Sequence, residues 1–87
     1  MKFDETLVNR TERFTLGVET TTGRHYVSIP VSNRLVDYEE YYAISEKSYA
    51  LFLIDSAAAL AFVERCRNRL EDEHLMFAPG SDRGVAT

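Results

Sequence analysis

The sequence predicts an α+β fold: a small antiparallel β-meander of about three strands, covered on one face by a C-terminal helical hairpin. Apolar residues recur at every second position from 14 to 18, from 27 to 31 and again, less cleanly, from 36 to 44. That is the period of a half-buried strand. Between 49 and 70 the spacing changes to three and four, the period of an amphipathic helix. The 87 residues suit a single domain over 1–87.

Residues 1–11 carry Phe3, Leu7 and Val8 with no common period, and are expected as an N-terminal arm. In the first strand Phe14, Leu16 and Val18 alternate with Arg13, Thr15, Gly17 and Glu19. "TTTG" follows as a turn, because Gly23 takes positive φ without steric cost. The second strand sets Val27, Ile29 and Val31 against Tyr26, Ser28, Pro30 and Ser32. Pro30 lacks the N–H of a ladder, so this strand either runs along an edge there or bulges. Asn33 centres the next turn. In the third strand Val36, Tyr38, Glu40, Tyr42 and Ile44 form the core side, with Glu40 near its rim. Asp37, Glu39, Tyr41 and Ala43 form the other side.

Ser45 is placed to cap a first helix, in which Tyr49, Phe52 and Leu53 share a face. Asp55 caps a second helix of about four turns, whose stripe is Ala59, Phe62, Val63, Cys66 and Leu70. Arg67 with Glu71, and Arg69 with Glu73, are spaced for surface ion pairs along it. After Phe77, Pro79 and Gly80 interrupt the pattern, and residues 78–87 are expected to form a mobile tail.

Composition narrows the function. With 45% hydrophobic and 28% charged residues the chain belongs with globular rather than disordered sequences. The longest apolar stretch, Tyr49 to Val63, contains Asp55 and falls short of the roughly 20 residues that cross a bilayer. No membrane association is expected, and the start has no apolar run of the signal-peptide kind. Cys66 is the one cysteine, which precludes an intrachain disulfide and fits a reducing, cytoplasmic location. Without disulfide or metal, a small core gains stability from a second subunit, so a homodimer is expected. The net charge of −4 argues against binding nucleic acid through phosphates.

That charge is not spread evenly. Between Leu35 and Asp55 five acids face a single lysine, while the rest of the chain is balanced. All five tyrosines lie between Tyr26 and Tyr49, overlapping the acidic stretch. Once Tyr38 and Tyr42 are assigned to the core, Asp37, Glu39 and Tyr41 remain as an outward acidic, aromatic strip. Tyrosine supplies large contact area with a polar tip, and acids steer a basic protein partner. The expected function is therefore a non-enzymatic protein-binding or self-associating domain. Its sharper form is an inhibitor or immunity-type protein that presents this strip to a basic cleft.

An enzyme is the remaining alternative, with Cys66, His74 and Asp72 as its candidates. Cys66 lies on the apolar stripe, where cysteine behaves as a small hydrophobe. "EDEH", Glu71 to His74, gathers ligand types for a metal, but neighbours on a helix do not converge, and no metal centre is expected. "APGSDRG" lacks the phosphate-loop pattern, so no cofactor is expected either.

Overall fold

A computed structural model describes residues 2–87. Four strands form an antiparallel meander in chain order: β1 (Phe3–Asn9), β2 (Phe14–Glu19), β3 (Arg24–Ser32) and β4 (Asp37–Ile44). Two helices follow, α1 (Glu46–Ile54) and α2 (Ser56–Arg67), then a 3-10 turn (Asp72–His74) and a short β5 (Val85–Ala86) that pairs with β3. The α+β architecture with a helical hairpin on one face is thus as expected, but the sheet has more strands than the expected three.

The additional strand at the start is β1, where an N-terminal arm was expected. It pairs with β2 from Phe3↔Glu19 to Asn9↔Phe14, and its register shifts between Glu5 and Leu7. A bulge at Thr6 turns Leu7 toward the helix-side core while Phe3 faces the other way. That is why the apolar residues of this segment show no period of two.

The turns behave as their residues dictate. Gly23 has φ 76° and donates its N–H to the Glu19 carbonyl at 2.8 Å. The Glu19 side chain sits inside this turn, 1% exposed, and accepts from the Thr21 and Thr22 amides and the Thr22 hydroxyl. Burial alone would raise its pKa, but these donors and the Lys2 amide outweigh it and bring the carboxyl down to about 2. Asn33 Oδ1 accepts from both Leu35 and Val36 amides at 2.8 Å, closing the β3–β4 turn.

Pro30 sits in a regular stretch of the β3–β4 register, opposite Glu39, with no bulge. Its carbonyl points away from β4 and accepts from the Thr87 amide. Its missing N–H therefore faces the side where pairing with β2 has ended at Thr15↔Ser28, so no bond to β2 is lost.

The main core lies between this sheet and the helices. Leu16, Val27, Ile29, Val31 and Tyr42 from the strands meet Phe52, Ala59, Val63 and Cys66 from the helices. Ser45 and Asp55 cap α1 and α2 by accepting from the Ser48 and Ala58 amides.

The second helix is shorter than its spacing predicts. Arg69 adopts φ 59°, its N–H donates to the Cys66 carbonyl and the Leu70 N–H donates to that of Arg65. This is a Schellman stop built on arginine rather than glycine. Leu70, expected on the buried stripe, lies past the helix end and is exposed. The expected pairs Arg67–Glu71 and Arg69–Glu73 do not form. Arg65 takes Glu71 instead, Arg67 reaches Glu64 and the Glu12 carbonyl, and Arg69 donates to the Gly84 carbonyl.

The segment 78–87, expected as a mobile tail, is held at several points. Arg83 donates twice to Glu40 (2.7 and 3.2 Å) and twice to Asp72 (2.7 and 2.9 Å). The Gly84 amide donates to Tyr38 Oη at 2.7 Å, and the Asn33 side chain donates to the Asp82 carbonyl. A Cβ on Gly84 would come within 2.5 Å of the Ser32 backbone, so this close approach requires glycine.

Candidate functional site

The helices leave the opposite face of the sheet open, and a second set of aromatic side chains gathers there. Tyr26 and Gly17 are cross-strand partners, and the Tyr26 ring lies over the glycine. Phe3 stacks on Tyr41 with centroids 4.0 Å apart, and both meet Tyr26 edge-on at 5.2 Å. Phe77 closes the group from the chain segment that follows the 3-10 turn. Tyr26 is consequently only 1% exposed although no helix covers it. Such edge-to-face and offset contacts are favoured by the ring quadrupoles.

Acidic side chains border this cluster. Glu5 stands opposite Gly17 on β1, and Glu39 stands beside Tyr41 on β4. Neither lies within ion-pairing distance of a basic group among the described residues. Both are exposed; partial loss of solvent where the Glu39 carboxyl lies against the sheet raises its pKa, the Ser28 hydroxyl partly offsets this, and the charge of Glu5 adds to the rise. Tyr26 is pushed up to about 12 by burial and by the surrounding Tyr41, Glu5, Asp4 and Glu39. The face therefore carries negative potential with no internal counter-charge at its centre. Arg10, Arg13 and Glu39 line one hollow of about 290 Å³ with no ion pair between them.

Of the three residues expected to form the strip, Glu39 and Tyr41 share this face. Asp37 is the first residue of β4, exposed, and accepts from the Ser32 hydroxyl at 2.6 Å. Tyr41 is half-buried by Phe3, so it is the wall of a cluster rather than a free aromatic. Val36, expected in the core, precedes the strand and is exposed. Phe3, Glu5 and Phe77 complete the face and escaped the sequence reading. Each comes from an element whose position depends on long-range pairing; the one local hint was an apolar, acidic start.

Glu40 lies on the helix side and is 8% exposed rather than at a rim. It accepts from Tyr42 Oη at 2.9 Å and from Arg83, so its charge is matched internally. Burial and this carboxylate together raise the Tyr42 pKa.

The enzyme candidates are drawn into other contacts. Cys66 is 1% exposed, and its thiol is pushed up to about 12 by burial and by the charges of Glu71, Glu40 and Asp72. Asp72 is held by Arg83, whose hydrogen bonds lower its pKa against a smaller effect of burial. His74 Nε2 lies 3.4 Å from Glu71 and 3.6 Å from Glu73.

Contrary to the expectation for "EDEH", the ligand atoms of Glu71, Glu73 and His74 do come within 4.8 Å of one another. The segment is a 3-10 turn, in which residues three apart eclipse, and not a continuation of α2. Glu71 is already taken by Arg65 Nε at 2.6 Å.

A cavity of about 630 Å³ opens along the outer edge of β4, between Val36–Tyr41 and the segment from Leu75 to Arg83. No helix among the described residues is long and apolar enough to cross a membrane. Compared with known proteins, the chain matches no family model, no curated protein and no solved structure.

Proposed function

We propose that the protein is a non-enzymatic binding domain that meets a basic protein partner with the open face of its sheet, through Glu39 and Tyr41 and with Glu5 and Asp37 at the margins. The supporting observation is Glu39. The buried carboxylates of the fold have their charge met internally: Glu19 by its turn amides, Glu40 and Glu71 each by an arginine. Glu39 and its neighbour Glu5 are instead exposed beside the aromatic cluster with no cation within ion-pairing distance among the described residues, so a cation from outside would meet two like charges held close together.

The inhibitor or immunity-type form of this reading makes the partner's cation part of a basic cleft, and rests on charge distribution and size alone. Self-association is a separate property, attributed to surfaces away from the acidic face. Leu51 and Ile54 on α1 are 45% and 86% exposed and would be covered in a homodimer. Light scattering after size-exclusion chromatography tests it, and a strict monomer at micromolar concentration removes it.

The partner reading is tested by affinity capture from the native cell with wild type and with Glu5→Lys/Glu39→Lys, after circular dichroism shows the variant folded. A basic protein retained by the wild type and lost from the variant is expected. Identical partner sets would refute it.

A further inference from the structure

Resting on that reading, we infer that the partner contributes an extended basic segment, which adds as a strand to the outer edge of β4 from Asp37 to Glu39. The backbone of β4 has a definite sense. Met76 N–H donates to the Tyr41 carbonyl at 2.9 Å, so the polar groups of Tyr41, and by the period of two those of Glu39 and Asp37, point away from β3. The Pro30 carbonyl gives the same parity from the other side, because Pro30 is the partner of Glu39 and also points away.

The chain's own residues close this edge only at Tyr41 and Tyr42, through Met76 and the bridge from Leu75. Toward Asp37 no hydrogen bond reaches the Glu39 or Asp37 amides among the described residues. An edge of this kind is a template for another strand.

The room and the chemistry lie at the same place. The cavity of about 630 Å³ borders this stretch and is walled by Val36, Tyr38, Tyr41, Phe77 and Pro79, with Glu39 among them. That volume lies within the usual range for binding clefts. Successive side chains of an added strand alternate between the two sheet faces. One set meets Glu39 and Tyr41, where Lys or Arg finds a carboxylate with no cation partner among the described residues; the other meets Tyr38. A second copy of this chain fits less well, because a two-fold pairing of β4 with itself sets Asp37 and Glu39 near their own counterparts. The opposite edge of the sheet is less suited, since β1 is bulged at Thr6, whereas β4 runs in unbroken register.

The test selects a phage-displayed random-peptide library on the full chain, then synthesises an enriched peptide with single backbone N-methyl groups along its length. Enrichment of Lys or Arg among alternating apolar residues is expected. N-methylation at alternate positions should weaken binding about tenfold, and at the intervening positions by less than about twofold. Glu39→Pro, which removes the outward N–H at an edge position that tolerates proline, should weaken the peptide more than Glu39→Gln does.

If Glu39→Pro does not fold, the N-methyl scan decides alone. A uniform scan, an empty selection, or binders without basic residues overturn strand addition. The capture experiment separates the two levels. A partner lost from Glu5→Lys/Glu39→Lys with a uniform scan leaves the face intact and removes the strand mode; identical capture together with a uniform scan removes both.

Discussion

Gly17 is where the open face is most sensitive to a single carbon. A Cβ built there lies 2.2 Å from the Asp4 carbonyl oxygen, 2.5 Å from Tyr26 Oη and 2.7 Å from Tyr26 Cζ. Gly17→Ala therefore forces β1 outward, the Tyr26 ring off its seat, or both. Overpacking of a tight site costs about 1 to 3 kcal/mol, and a contact with backbone oxygen this short places the cost near about 3 kcal/mol. The whole domain has roughly 4 to 13 kcal/mol to lose. Melting should fall by about 12 to 24 °C, on the usual scaling for a chain of this length.

Urea denaturation of wild type, Gly17→Ala, Tyr26→Ala and the double variant tests the cause as well as the size. Tyr26→Ala alone should cost about 3 to 5 kcal/mol. Because it removes two of the three short contacts, the double variant should be more stable than the sum of the singles by about 1 to 2 kcal/mol. Gly17→Ala within about 0.5 kcal/mol of wild type, or strict additivity in the cycle, would refute the packing of Tyr26 on Gly17.

Three other outcomes follow from the same contacts. Arg83→Ala strands Glu40 without its cation and should cost about 3 kcal/mol by urea denaturation, with Glu40→Gln in the same chain recovering the larger part. Glu39→Gln should raise the melting temperature at pH 7. The folded-state pKa of Glu39 is raised, so the contribution of this one group is most favourable below the ordinary 4.5 and is lost as pH rises through the folded value; the advantage of glutamine should vanish below about pH 4. Cys66 should label with a thiol reagent only as fast as the domain opens, since its thiol is buried and burial pushes its pKa up to about 12; rapid labelling of the native protein would contradict its placement.

The strands between Phe14 and Ile44, both helix caps and the buried face of α2 were legible because each rests on local periodicity or a capping side chain. What was not legible depended on distant partners. β1 was hidden by its bulge at Thr6, which breaks alternation where a strand reading needs it. The end of α2 was misjudged because an arginine, not a glycine, takes the left-handed turn at Arg69. The docking of 78–87 rests on Arg83 finding Glu40 and Asp72, a pairing 43 and 11 residues apart that no spacing rule conveys. Within the candidate site, Glu39 and Tyr41 could be read from the alternation of one strand. Phe3, Glu5 and Phe77 could not, because sequence separation hides which elements flank that strand.

Hydrogen–deuterium exchange of the protein alone and in complex with its captured basic partner tests the central claim most directly. Protection concentrated in peptides covering residues 3–5, 26–28 and 37–41, with α1 and α2 unchanged, is the result predicted for binding on the open face. Protection confined to the helices, with those strands exchanging as in the free protein, would contradict it.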